Sequence, residues 1–254
     1  MDHKGFWLGL LGVALLWASP VPAAQLAPPD ELLRAREALT DHLNRVDADC
    51  AVAAKRLGQA GLIGKGARRI LNDLCAARPE AVDCAAVDLK GRMVTVEPAA
   101  WRSAEGADIS SQEQIIQLQK TRKPVLSRLF KSVEGFDAVD LEYPVFSAQK
   151  ELIGSVSMLI RPERLLERVL AGTKADIRVI QADGRILFSR DKTEIGKMLS
   201  SEAGVRLANR FFSPAAGQKA ACSNQGSCGE PESARAEIRL HGTLWQLVMT
   251  PGMN

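Results

Sequence analysis

The stretch EGFDAVDLEYPVFSAQKELIGSVSMLIRPERLL, residues 134–166, contains two runs of alternating side chains, a polar turn between them and a helix start behind them. In the first run Val139, Leu141, Tyr143 and Val145 fall on one side and Asp140 and Glu142 on the other, the period of two that marks a strand. In the second run, Leu152 to Ile160, Ser155 and Ser157 share a side. Pro162 then opens a helix at its first turn, where the missing N–H is no loss. The pattern predicts two antiparallel neighbours in one sheet, with an aliphatic and a polar face.

Upstream, DCAAVDLKGRMVTVEP (residues 83–98) reads as strand, turn, strand, with Lys90-Gly91 at the turn. Val125 to Lys131 reads as one further strand of the same sheet, and Ser111 to Lys120 as a helix with a Gln-rich polar face. Downstream, ADIRVIQADGRILFSRDKTEIGK (residues 175–197) repeats strand, turn, strand, with Asp183-Gly184 as the hairpin signal. A short helix over Ser201 to Phe211, an irregular loop over Ser213 to Ser233 and a last hairpin around Gly242 complete a second unit.

Before these units, Leu32, Leu39, Leu43, Val46, Cys50, Ala53 and Leu57 recur at steps of three, four or seven, so Asp30 to Ala60 is predicted to be a long amphipathic helix. At 1.5 Å per residue it would run about 45 Å, more than one small domain needs. It either pairs with a second copy in a coiled-coil homodimer or lies across two lobes. His42 falls on a stretch of this helix that reads as exposed. A second helix covers Ala67 to Ala77.

At the N-terminus an apolar run from Phe6 to Ser19 is followed by Val21-Pro22-Ala23, small residues at the positions a signal peptidase reads. The run is shorter than the ~20 residues of a spanning helix. The expected organisation is therefore a signal peptide over 1–23, a helical segment over 24–79, a first lobe over 80–172 and a second, smaller lobe over 173–254, with the mature protein periplasmic or secreted. A hydrophobic content of 46%, a charged content of 25% and a net charge of +3 describe an ordinary globular chain and give no footprint for nucleic acid. In an oxidising compartment the five cysteines can pair. Cys222 and Cys228 bracket a short turn-rich loop and suit a local disulfide; Cys75 can meet Cys84 or Cys50, and one thiol is left over.

Catalysis has no visible frame. The sequence holds no Gly-x-Ser-x-Gly, no His-Glu-x-x-His, no phosphate-cradling glycine loop and no paired zinc spacing, and no cofactor is expected. Binding is better supported. If the polar sides of the two strands coincide, Asp140, Glu142, Ser155 and Ser157 line a cavity that favours a cationic or hydroxylated ligand, because buried carboxylates need a partner. The alternative is that both acids lie on a solvated face while the aliphatic side packs on the long helix. Trp101 is either a pocket wall or a core residue; Arg102 and Arg128 either clamp an anion or carry surface charge; the hydroxyl of Tyr143, the one tyrosine, needs a partner if buried.

Taken together, the segments at 83–98, 134–166 and 175–197 resemble the Cache family, the extracytoplasmic relatives of PAS domains in bacterial sensors. The resemblance implies an α+β fold, a long N-terminal helix followed by two PAS-like antiparallel-sheet lobes. It also implies a non-catalytic, small-molecule-binding sensor with its site in the first lobe, roofed by residues 101–118. The amino-acid-binding members carry an Arg-x-Trp-Tyr run on that roof and an acid near the end of the strand that here reads VSMLIR. Trp101-Arg102 and Met158-Leu159 stand at those places, so an organic acid or another small metabolite is expected in preference to an amino acid. Such units commonly join membrane helices to an output domain. Asn254 follows the last strand, so the expectation is a free protein reporting to a membrane sensor kinase or chemoreceptor. The rivals are a ligand-free interaction module and a thiol-dependent enzyme.

Overall fold

The computed structural model describes residues 29–199 and 234–249. The signal segment, the helix expected at Ser201 to Phe211, and Cys222 and Cys228 lie outside the described residues. Helix α1 (Asp30–Ala60) comes first, followed by α2 (Lys65–Ala76), β1 (Ala81–Asp88) and β2 (Met93–Glu97). A 3-10 turn (Ala99–Ala104) leads to α3 (Glu113–Thr121), then β3 (Val125–Leu126), β4 (Phe130–Lys131), β5 (Asp137–Phe146), β6 (Leu152–Ile160) and α4 (Pro162–Leu170). The second unit holds β7 (Ile177–Gln181), β8 (Ile186–Phe188), β9 (Ala234–Leu240) and β10 (Thr243–Met249). The first sheet runs β2-β1-β6-β5-β3, with β4 also on β5; the second runs β8-β7-β10-β9, and every pairing is antiparallel. A long N-terminal helix followed by two antiparallel sheets is the α+β architecture read from the sequence.

Helix α1 lies across both sheets of the chain, as one of its two expected uses requires. Its apolar stripe, from Leu32 through Leu39, Leu43, Val46, Ala53 and Leu57, is buried inside this chain. It packs against Val139, Leu141 and Val145 of β5, Val156, Met158 and Ile160 of β6, and Ala236, Ile238, Trp245 and Leu247 of the second sheet, all in one core. One helix thus backs both sheets, which is why it has to be longer than a single lobe requires. His42, expected to be exposed, is buried instead; its Nε2 lies 2.6 Å from Glu80 Oε1. A polar residue on the stripe was read as solvent-facing, but the long-range partner makes burial tolerable.

The segment 125–131, expected as one strand, is broken into two short ones. Ser127 N donates to Asp140 O and Asp140 N donates to Ser127 Oγ, while Leu129 N turns away from β5 to donate to Gln181 Oε1 of the second lobe at 2.7 Å. The last hairpin turns at His241 and Gly242, with φ of 47° and 84°, the left-handed pair that a two-residue hairpin requires. Cys50, Cys75 and Cys84 are free thiols, which corrects the disulfide expected among them.

The seat of α1 on β5 leaves no room at Gly58, where a Cβ would stand 2.1 Å from Phe146 O. Gly58→Ala should therefore destabilise the protein by about 1–3 kcal/mol, an overpacking cost that outweighs the gain in helix propensity. Urea denaturation checks it; a stabilised variant would show that the helix end does not touch the sheet.

Candidate functional site

The face of the first sheet turned away from α1 is polar in the middle. Leu159 of β6 pairs with Asp83 of β1 on one side and Asp140 of β5 on the other; in the next row Ser157 lies between Ala85 and Glu142, and in the third Ser155 lies between Val87 and Pro144. Directly paired residues share a face, so Asp83, Asp140, Glu142, Ser155 and Ser157 point the same way. They do not reach solvent. Asp83 and Glu142 are 0% exposed, and Asp140 is 2% exposed. The cover consists of Trp101 after β2, Ile109, Ile115 of α3, and the segment from Phe130 to Phe136. Trp101 meets Phe136 edge to face at 5.9 Å, and the Arg161 guanidinium stacks over Phe136 at 4.0 Å.

Beneath that cover lies a cavity of about 20 Å³ lined by Asp83, Ser132, Glu134, Asp140, Ser157 and Phe130, among others. That is the room of about one water. Asp140 Oδ1 accepts from Ser157 Oγ at 2.7 Å and Oδ2 from Gln114 Nε2 at 3.3 Å. Both oxygens of Asp83, Glu134 Oε1 and Ser132 Oγ are buried without a hydrogen-bond partner, while the Glu142 carboxyl lies against Asp140, Ser155 and Ser157. Burial, reinforced by the charges of Glu134 and Asp140, pushes the Asp83 carboxyl up to about 9. Burial and the neighbouring Asp140 hold Glu142 well above the usual carboxylate range. Asp140 is raised by burial too, but the donors Ser157 and Gln114 oppose the rise, so the shared proton sits on Glu142.

The structure therefore brings Asp140, Glu142, Ser155 and Ser157 together and puts Trp101, half-buried, in the cover. It does not bring the others there. Tyr143 faces α1, where its hydroxyl donates to Asp47 Oδ1 at 2.7 Å, and His241 Nε2 bonds to the same oxygen. Arg102 is bound to Glu97 at 2.6 Å. Arg128 pairs with Glu113 at 2.6 Å and borders a separate polar cleft of about 610 Å³ between the lobes, along with Gln181, Asp183, Arg185 and His241. Asp83 and Glu134 were missed in the sequence. Asp83 stands two residues before Ala85 and four before Val87, a period-two signal that its place at a strand start conceals. Among the described residues no group of three or more His, Cys, Asp or Glu side chains is arranged to hold a metal ion, and no helix is long and apolar enough to cross a membrane.

The arrangement is a long helix behind a sheet with a small roofed chamber on its far face. Residues 41–162 match the family model described as HK/GC/chemotaxis protein-like sensor domain. Among solved structures the chain is similar to an extracellular ligand binding receptor from Desulfohalobium retbaense, with 34% identity and a TM-score of 0.75 over 90% of this chain; the chain spans 41% of that receptor's length. It also shares the fold of the ligand-binding domain of the Pseudomonas fluorescens chemoreceptor CtaA, determined with L-valine, at 14% identity and a TM-score of 0.61, covering 88% of this chain and 94% of that one. The sensory domain of the Campylobacter jejuni chemoreceptor Tlp3, determined with isoleucine, matches at 12% identity and a TM-score of 0.61, covering 87% of this chain and 90% of that one. No curated protein sequence matches the chain.

The carboxyl of Asp83 makes stability depend on pH in a defined direction. With its folded value at about 9 and an unfolded value near 3.9, the folded chain binds the extra proton between them, so stability falls as pH rises through that window. Asp83→Asn should remove this slope, up to about 1.4 kcal/mol per pH unit, leaving the variant increasingly more stable than the parent from pH 5 to pH 8. Thermal unfolding at several pH values checks it; a difference that does not grow with pH would contradict the assignment.

Proposed function

We propose that this chain is an exported, non-catalytic sensor domain of the Cache type, and that its first lobe, residues 80–172, recognises a small molecule carrying a positive charge. One observation supports the ligand's charge. Every other buried carboxylate among the described residues has a cationic partner: Glu80 meets His42 and Arg168, and Glu97 meets Arg68 and Arg102. Asp83, Asp140 and Glu142 have none, and no Lys, Arg or His lines their cavity. Burying unpaired acids is costly, and strongly shifted groups cluster where a ligand or a reaction uses them. An ammonium group supplies the missing charge. An organic acid would add a further carboxyl to a chamber that already holds three.

The CtaA and Tlp3 domains were determined with L-valine and isoleucine, and the protein from Desulfohalobium retbaense is a ligand binding receptor, so a small-molecule site in this fold is supported from both sides. Export through the segment 1–23, work in the periplasm or outside the cell, a second lobe over 173–254 and reporting to a membrane sensor kinase or chemoreceptor belong to the same proposal. The apolar stripe of α1 is spent on the chain's own sheets, which favours a reporter over a coiled-coil homodimer.

Thermal shift at pH 8 with a panel of amines, amino acids and organic acids tests the ligand class. Amines should raise Tm by mass action, about 2.7 kcal/mol of added stability at a hundredfold excess over Kd, and Asp140→Asn should cut that shift sharply. A panel in which organic acids stabilise and amines do not would overturn the reading.

A further inference from the structure

The chamber offers more acceptors than one ammonium group can use, and they are arranged in a line. Asp83 and Asp140 are both paired with Leu159, one from β1 and one from β5, so the two carboxylates occupy a single row of the sheet with a leucine between them. Neighbouring strands stand about 4.8 Å apart, which puts the two backbones about 10 Å apart across Leu159. Each end has further oxygens. Glu134, whose charge acts on Asp83, and Ser132 carry unpartnered buried oxygens, and the Glu142 carboxyl lies beside Asp140. Four buried oxygens, two from Asp83 and one each from Glu134 and Ser132, stand without a donor. An ammonium carries three N–H donors. Between the two acidic ends the floor is apolar: Leu159 lies in the row itself, and Phe130 and Met93 border the same cavity.

From this geometry we infer that the ligand is a linear diamine, one ammonium at Asp83 and the other at Asp140, with its methylene linker lying over Leu159. The inference rests on the reading of the chamber as a cation site. Two ammonium groups supply six N–H donors, and an aliphatic linker of about four carbons spans the row while covering apolar surface. A ligand with a carboxylate would need a cation at one end; Arg102 and Arg68 hold Glu97, and Arg161, which stacks on the outer Phe136 ring with its Nε unpartnered, is not among the residues that line the cavity. Admitting such a molecule requires the 130–136 segment to lift. It is held to β5 by two residue pairs, Phe130 with Ala138 and Lys131 with Asp137.

Isothermal titration calorimetry at pH 8 with 1,4-diaminobutane, n-butylamine and L-valine, on the full chain and on Asp83→Asn, tests the inference. The parent should bind the diamine at least tenfold more tightly than butylamine, and Asp83→Asn should reduce that ratio to about two. The asparagine is isosteric with the protonated carboxyl that Asp83 carries in the free protein, so loss of folding is not expected, and a cooperative thermal transition verifies it. Equal affinity for the diamine and the monoamine would overturn the inference and leave the cation site standing. Valine binding more tightly than either amine, and lost in Arg161→Gln, would overturn the inference in favour of an amino acid held from the rim. Binding of none of the three by folded protein would overturn the inference and the cation-site reading together.

Discussion

The two faces of β5 cannot be exchanged, and the rest of the molecule is arranged around that constraint. Val139, Leu141 and Val145 must meet α1, so Asp140 and Glu142 have to point the other way. A shift of one residue in register would drive two acids into the helix interface and leave the aliphatic set uncovered. The pairings of β6 with β5 and with β1 carry the same division across the sheet. Cys84, Ala86, Val156 and Met158 join the core under α1, and Ala85, Val87, Ser155 and Ser157 join the opposite face. The chamber is thus a product of the same alternation that builds the core.

How the chain treats its buried acids separates structure from function. Glu97 is gripped by Arg68 at 3.2 Å and by Arg102 at 2.6 Å, and Arg68 also reaches Glu105 at 2.7 Å, a network that ties α2 to β2 and its following turn. Glu80 has His42 and, at 3.8 Å, Arg168, joining β1's start to α1 and α4. These acids are explained by the fold. Asp83, three residues from Glu80, has two buried oxygens and no donor. Apolar or amide side chains at these places would serve packing better. The cost is concentrated in one chamber.

Much of the fold was legible because it rests on period. The bounds of α1, β6 and β7 follow from apolar spacing that neighbours only reinforce, and the two hairpins at Gly184 and Gly242 follow from turn chemistry. The break at Ser127 to Leu129 was not legible, because its cause is Gln181, 52 residues away from Leu129. The burial of His42 depended likewise on Glu80, 38 residues distant. In the site, the co-location of Asp140, Glu142, Ser155 and Ser157 could be read from alternation. Whether that face was solvated could not, since the cover comes from residues 101–136, whose packing no local pattern specifies. Tyr143 was misplaced for a simpler reason: an aromatic with a polar tip suits both a pocket and a helix interface, and Asp47 on α1 claimed the hydroxyl.

The break in the third strand also connects the chamber to the second sheet. Phe130 lines the cavity, and its neighbour Leu129 donates its backbone N–H to Gln181 at the end of β7. Three residues earlier, Leu126 O accepts from Thr243 Oγ1 at the start of β10, and His241 in the same turn joins Asp47 and Tyr143. The segment that roofs the chamber is thus fastened at its base to both central strands of the other sheet. β4 holds β5 through two residue pairs. Displacement of Phe130 by anything larger than a water has to be accommodated at Leu129. The buried hydrogen bond of 2.7 Å to Gln181 resists that displacement, because breaking it would leave two buried polar groups unpaired. Placing the break between β3 and β4 at this point, and not in a surface turn, gives the two sheets a shared attachment.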